Sequence, residues 1–320
     1  MYLQDENLRN QSSLTHFLLL GLSEVHELQI LLAIVFLVYY LVAVGVNLLI
    51  ISAVVADHHL HNPMHFFLMN LAIQDIGQVS VIIPKSMANS LMDARHISYS
   101  GCVAQVLFHL IFISSDLSLL TVMAYDRYVA ICHPLQYDLL MNKQACLKII
   151  AIVWISSFLY GALHAGGTFA VPFCSNVVNQ FFCEIPQLMK LVCSDLYLIE
   201  VGFILLSVVI VVGFSIFILV TYVYIFIAVL KIPSVQGRQK AFSTCLPHLI
   251  VVSILIFTGC FVYIKPSSNS SYLNLVMTIL YSLLPPLMNP IIYSMRNKGI
   301  KNAVFKVLGT TLLSILILQK

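Results

Sequence analysis

The sequence predicts an all-α integral membrane protein, a bundle of seven transmembrane helices followed by a short amphipathic eighth helix. Three observations carry this. The 320 residues are 60% hydrophobic and 9% charged, whereas roughly a quarter of residues are charged in a soluble domain. The apolar residues fall in long uninterrupted runs, not in the alternating ten-residue segments of a membrane barrel. The basic residues divide unevenly between the two sides that seven crossings define.

Crossing about 30 Å of hydrocarbon takes roughly 20 apolar helical residues, and a helix satisfies its own backbone there. Seven runs reach that length: Leu28 to Val55, Pro63 to Met87, Gly101 to Ile131, Cys146 to Phe169, Tyr197 to Leu230, Ala241 to Ile264 and Tyr272 to Met295. The second is the most polar, with Gln74, Asp75, Gln78, Ser80 and Lys85, and hydropathy alone would discard it. Charge retains it. With the N-terminus outside and seven spans, eleven of the sixteen Lys and Arg lie inside: Arg127, Lys143, Lys148, Lys231, Arg238, Lys240, Arg296, Lys298, Lys301, Lys306 and Lys320. Arg9, Lys85, Arg95, Lys190 and Lys265 stay outside. Six spans would spoil that asymmetry.

The expected organisation is an extracellular N-terminus over 1–27, a membrane domain over 28–295, and a cytoplasmic helix 8 and tail over 296–320. The first 25 or so residues read as polar, without the apolar core of a cleavable signal, so the first span is expected to act as its own insertion signal. Asn10-Gln11-Ser12 is a glycosylation sequon on the outer side. A second, Asn269-Ser270-Ser271, precedes the seventh span closely.

Of eight cysteines, Cys102, Cys174, Cys183 and Cys193 fall outside in this topology, in an oxidising compartment. Four cysteines allow three pairings, and spacing does not choose among them. A bond from Cys102 into the loop that holds the other three would fold that loop over the bundle as a lid. Cys132, Cys146, Cys245 and Cys260 sit in or under the membrane and are expected to be reduced.

Ionisable groups inside lipid are costly and point to function. Asp75 and Asp116 fall mid-span, with Asn47, Asn289 and Ser118 at similar depth. Two carboxylates there are relieved by sharing a proton or by binding a small cation such as sodium through oxygen ligands. A cation or proton site coupled to conformation is the favoured reading. The Gly-x-Gly-Asp element of an intramembrane aspartyl protease is absent, His26-Glu27-Leu28-Gln29-Ile30 lacks the second histidine of a zinc protease, and no Gly-x-Ser-x-Gly is present. The chain is expected not to be an enzyme. At the cytoplasmic end of the third span, Asp126-Arg127-Tyr128 sets a permanent cation beside an acid that can hold it closed and release it to a partner.

In order, the chain carries Pro63-Met64-His65-Phe66-Phe67-Leu68, then Met123-Ala124-Tyr125-Asp126-Arg127-Tyr128-Val129-Ala130-Ile131-Cys132-His133-Pro134-Leu135. Lys240-Ala241-Phe242-Ser243-Thr244-Cys245 with His248, and Pro285-Pro286-Leu287-Met288-Asn289-Pro290-Ile291-Ile292-Tyr293, follow. These strings resemble the odorant-receptor branch of the rhodopsin-like G-protein-coupled receptors, over nearly the whole chain. The resemblance implies disulfides Cys102 to Cys183 and Cys174 to Cys193, and a buried ion or proton site at Asp75 and Asp116. It makes Arg127, within Asp126-Arg127-Tyr128, the G-protein latch, with Tyr222 and Tyr293 as partners that swing inward, and counts Asn289 and Pro290 among the switch residues. Pro290 kinks the seventh helix by removing a backbone donor. Two departures stand out. The sixth span reads Leu255-Ile256-Phe257 where relatives place an aromatic followed by glycine, so Ile256 transmits by packing or Phe257 substitutes; and Val46 precedes Asn47 where relatives have glycine.

Helical spacing puts His109, Leu110, Ile113 and Ser114 on one face of the third span, Phe203, Leu206, Ser207 and Ile210 on one face of the fifth, and Gly259 with Tyr263 on the sixth. Family geometry aims these at one cavity, closed by Thr278 and Ser282. A neutral His109 where an amine receptor carries an aspartate implies a neutral or weakly polar ligand, hydrogen-bonded by His109, Ser207 or Tyr263. The expected ligand is a small volatile odorant. Burying about 150 Å² of it yields roughly 4 kcal/mol before entropy costs, hence micromolar or weaker binding. The other expected partners are a heterotrimeric G protein of the stimulatory olfactory type and the bilayer, with no nucleic acid and no cofactor beyond a sodium ion. The plasma membrane of sensory cilia is the expected location. A rhodopsin-like receptor for another small ligand is the nearer alternative; a transporter is the farther one, for which inverted repeats and broken helices are lacking.

Overall fold

The computed structural model describes residues 15–20, 25–92, 95–193, 197–264, 271–296, 299–306 and 309. Asn10 and Asn269 of the two sequons lie outside them. Among the described residues seven long helices follow one another: α1 His26–Ala56, α2 Pro63–Met92, α3 Tyr99–Cys132, α4 Lys143–Phe169, α5 Tyr197–Leu230, α6 Val235–Ile264 and α7 Ser271–Arg296. The first four, and Val201–Leu230 of α5, are long and apolar enough to cross a membrane, and α6 and α7 contain the apolar stretches His248–Val262 and Leu275–Pro290. Helix ends overrun the apolar runs, most at α6, which begins at Val235 where the run begins at Ala241. Backbone hydrogen bonding continues into polar residues after hydropathy has stopped marking the lipid.

Polarity sorts burial among the spans. The membrane-length stretch of α2, the most polar, is 61% buried, and that of α5 is 6% buried. A helix carrying amides and a carboxylate must turn them toward protein, while one made of Val, Ile, Leu and Phe is stable against lipid on most sides.

The chain forms two compact units. The first, here called the disulfide unit, comprises Met1–Leu41, Gln78–Ser114 and Ser156–Ile210. Its sheet is a feature the all-helical expectation omitted: β1 His16–Leu19 pairs antiparallel with β2 His96–Ser98 and parallel with β3 Val177–Val178, in the order β2-β1-β3. Side chains alternate along a strand, so Phe17 and Leu19 point inward and are fully buried with Ile97, Val106, Leu110, Val178 and Leu188. The segment before the first span is thus only partly polar. Phe17 stacks on Tyr99 at 5.8 Å and meets Phe173 edge-on at 5.4 Å. Gly161 lets α4 approach α3, since a Cβ there would lie 2.9 Å from Ile111 Cγ1 and 3.0 Å from the Leu107 carbonyl, the close contact that small residues permit between membrane helices.

The second, the aspartate unit, comprises Val42–Gly77, Ser115–Ile155 and Val211–Lys320. Here α6 and α7 pack together. Pro290 removes the donor that the Pro286 carbonyl would accept four residues earlier, and Asn47 Nδ2 supplies it at 3.0 Å while also donating to the Ala43 carbonyl at 2.9 Å. Residues 299–306 are helical, with Ile300 and Ala303 buried and Lys301, Phe305 and Lys306 exposed.

Candidate functional site

In the aspartate unit, α2, α3 and α7 bring both membrane carboxylates to one amide. Asn289 Nδ2 donates to Asp75 Oδ1 at 3.2 Å and Oδ2 at 3.3 Å, and to Asp116 Oδ1 at 3.4 Å. Gln74 Nε2 donates to Asp116 Oδ1 at 3.0 Å, and Ser115 Oγ donates to Gln74 Oε1 at 2.6 Å. All five residues are buried to 1% exposure or less. Asn289 Oδ1 and Asn47 Oδ1 are buried oxygens with no hydrogen-bond partner among the described residues. Two carboxylates are oxygen ligands of the kind a hard cation takes, while the amide between them presents Nδ2 and not Oδ1 to both. Gln74 and Ser115 were not singled out from sequence; their proximity along the chain to Asp75 and Asp116 is the signal that would have found them.

The latch is arranged differently from the sequence expectation. Among the described residues no ion pair joins Asp126 to Arg127. Asp126 Oδ1 instead accepts from Tyr137 Oη at 2.8 Å, and the half-buried Arg127 places Nη2 3.9 Å from Met64 Sδ, with Nε buried and unpartnered. Tyr137 lies in the short helix Tyr137–Leu140 between α3 and α4. Burial first, and then the Asp126 carboxylate, push its phenol well above the ordinary tyrosine range, which keeps it a donor. A neutral hydroxyl at the acid outcompetes its sequence neighbour because adjacent side chains on a helix point about 100° apart. Tyr128 Oη contacts His133 Nε2 at 2.9 Å.

Tyr222 is buried on α5 with its hydroxyl unpartnered among the described residues. Its ring lies 5.6 Å from that of His248, whose Nε2 donates to the Leu120 carbonyl at 2.8 Å, tying α6 to α3. The side chain of Tyr293 lies outside the described residues, as do those of Lys240, Arg296 and Lys298. Lys231 and Lys301 are exposed and Arg238 half-exposed.

The ligand residues named from sequence divide between the units. In the disulfide unit His109 is 2% exposed and meets Phe182 edge-on at 5.4 Å. Leu110 belongs to the apolar core under the sheet, so it packs protein and not a cavity. Ile113 and Ser114 are half-buried, and Ser114 Oγ turns back to the Ile111 carbonyl. Ser207 accepts from Tyr160 Oη at 2.9 Å, lies 2.9 Å from His164 Nε2 and donates to the Phe203 carbonyl, while the Phe203 ring meets His164 at 5.7 Å. Tyr160 and His164, on α4, were not foreseen. Leu206 and Ile210 are 50% and 39% exposed. Spacing defines a stripe on α5, but the neighbour that stripe meets is α4, and it covers only the Phe203 and Ser207 edge.

In the aspartate unit Ile256 and Gly259 are half-buried, and Tyr263 has its side chain outside the described residues. Phe257 is 65% exposed, so it does not stand in for the missing aromatic. Thr278 and Ser282 are buried, with the Ser282 hydroxyl bonded to the Thr278 carbonyl. Cys102 is bonded to Cys183 and Cys174 to Cys193, across 81 and 19 residues. Cys183 N donates to Gln105 Oε1 at 2.9 Å, fixing the loop to α3. Cys132, Cys146, Cys245 and Cys260 form no disulfide.

Long apolar helices with buried carboxylates and a cystine-braced loop define the class, a helical membrane protein. The olfactory receptor family model matches residues 36–311. Among similar proteins of Homo sapiens, olfactory receptor 14A16 is 47% identical, covering 92% of this chain and 96% of its own length. Olfactory receptor 14I1 is 46% identical, over 93% and 96%, and olfactory receptor 14J1 is 44% identical, over 94% of each. The chain belongs to the olfactory receptor family, a family of seven-transmembrane G-protein-coupled receptors, and is a multi-pass membrane protein.

Proposed function

We propose that the protein binds a small volatile odorant among its membrane helices and activates a heterotrimeric G protein of the stimulatory olfactory type, raising cyclic AMP. The family match supports the receptor role. The observation that carries the switch is the pair of buried, unpartnered groups, Arg127 Nε and Tyr222 Oη. A buried polar group without a partner costs about 1–3 kcal/mol, so an arrangement that satisfies both lies close in energy, and a ligand that prefers it shifts the population. In that arrangement the cytoplasmic end of α6 moves outward and Arg127 meets the G protein, flanked by Lys231, Arg238 and Lys301. His109, Ser207 and Tyr263 orient the ligand, and the remaining contacts come from Ile113, Ser114, Phe203, Ile256, Gly259 and Thr278.

Asp75, Asp116 and Asn289 form a cation or proton site that biases the same equilibrium; sodium would supply charge balance there. The N-terminus faces outside, in the plasma membrane of sensory cilia, because two disulfides need an oxidising compartment and most basic residues then fall inside. The domains remain those read from sequence, 1–27, 28–295 and 296–320. An odorant panel on cells carrying a cyclic-AMP reporter tests the function: Arg127→Ala is expected to abolish every ligand-evoked response at normal surface expression, and an intact response overturns the latch. A mobility shift on deglycosylation, lost in Asn10→Gln, tests the orientation.

A further inference from the structure

Within the aspartate unit, the turn between α1 and α2 sets two imidazoles side by side. His58 opens a short 3-10 helix, His58–Leu60, and His61 closes it. Side chains at i and i+3 of such a helix eclipse one another, and the two ring centroids lie 5.1 Å apart with the planes at 85°. Both residues are exposed. The backbone beneath them is held by the turn itself: Asp57 Oδ1 accepts from His59 N at 3.0 Å, and His61 N donates to the His58 carbonyl at 3.2 Å.

His61 is also tied to α1. Its Nε2 lies 3.1 Å from the carbonyl of Val54, in the last turn of that helix, where carbonyls lack an intrahelical donor. A carbonyl only accepts, so Nε2 carries the ring proton and Nδ1 keeps its lone pair. A metal-binding histidine is held in the same way, one nitrogen donating to a backbone carbonyl or a carboxylate and the other left to the ion.

We propose that His58 and His61 bind a divalent transition-metal ion of the zinc type, with water in the remaining positions. Nitrogens about 2.0–2.1 Å from one tetrahedral ion place two imidazole centroids roughly 5 Å apart, the spacing this turn already holds. Imidazole suits zinc, whereas magnesium and calcium take oxygen ligands. No lysine or arginine lies between Ala56 and Pro63 to repel a cation. Among the described residues no group of three or more His, Cys, Asp or Glu forms a metal cluster, so the site is open and binds more weakly than a closed four-ligand one. A bound ion joins His58 to the end of α1 through His61 and Val54, and stabilises the turn by mass action.

The test uses the full chain in nanodiscs, with zinc chloride as the probe and diethyl pyrocarbonate modification of each histidine read by mass spectrometry. Zinc is expected to protect His58 and His61 together, to leave His59 reactive, and to be reversed by a chelator, while magnesium protects neither. His58→Ala is expected to raise the zinc concentration that protects His61 by about tenfold, and His59→Ala to leave it unchanged. His58 takes no part in the bond to Val54, so its removal leaves that bond in place; if the variant still misfolds by size exclusion, the contrast between zinc and magnesium on the parent chain decides. Protection of neither ring, unchanged protection of His61 in His58→Ala, lost protection in His59→Ala, or equal protection by magnesium overturns the proposal and leaves the pair as edge-on packing at the end of α1.

Discussion

The disulfide unit and the aspartate unit are each held together by a different feature. In the first, the core under the sheet is aromatic and aliphatic, closed by Phe17, Leu110, Val178 and Leu188 and tied by two cystines. In the second, an amide, two carboxylates, a glutamine and a serine share too few donors for their acceptors, and Arg127 and Tyr222 retain unpartnered atoms. An apolar core has one best packing and resists change. A polar network with unfilled acceptors has several arrangements of similar energy, which a conformational switch requires. Among the described residues both units hold buried oxygens without a partner, Asn89 Oδ1 and Thr168 Oγ1 in the first and Asn47 Oδ1 and Asn289 Oδ1 in the second, so the two cystines and the paired carboxylates are what set the regions apart.

The largest expected effect breaks the bracing. Cys102→Ser opens a closure spanning 81 residues, worth up to about 4.5 kcal/mol in the chain-entropy limit, and Cys174→Ser opens one of 19, worth up to about 3. Surface expression and unfolding temperature are expected to fall in that order. Next is the network: Asp116→Leu strands the Gln74 amide and costs about 1–3 kcal/mol, whereas Asp116→Asn, which keeps an acceptor, is expected to cost less and to remove any dependence of unfolding temperature on sodium. An equal loss for both variants breaks the claim that the acceptor matters. Tyr137→Phe leaves the buried Asp126 carboxylate without that hydrogen bond, about 1–3 kcal/mol, and is expected to raise basal nucleotide exchange in the G protein several-fold. The smallest effect tests exposure: Phe257→Ala and Leu206→Ala are expected to stay within about 0.5 kcal/mol of the parent and to leave odorant potency unchanged.

Much of this was legible beforehand. The order of the helices follows from hydropathy for six spans and from the charge asymmetry for the polar second one, because lipid selects apolar composition residue by residue. Asp75 and Asp116 stood out because a carboxylate in an apolar run has no bland explanation. The sheet did not stand out: β1, β2 and β3 are four, three and two residues long, too short for a period-2 pattern to emerge from a chain already rich in apolar residues. The packing of the α5 face was hidden for a related reason, since spacing groups Phe203, Leu206, Ser207 and Ile210 without saying which edge of the group a neighbour covers.

Sequence by itself determined the membrane class, the helix order, the family and the two buried acids, because each is written in local composition or in a contiguous string. Tertiary structure alone decided that Asn289 bridges Asp75 and Asp116, that Tyr137 takes Asp126 from Arg127, and that Asn47 fills the carbonyl Pro290 leaves open. These are contacts between residues far apart along the chain, with partners set by packing geometry, and a linear sequence does not record distance.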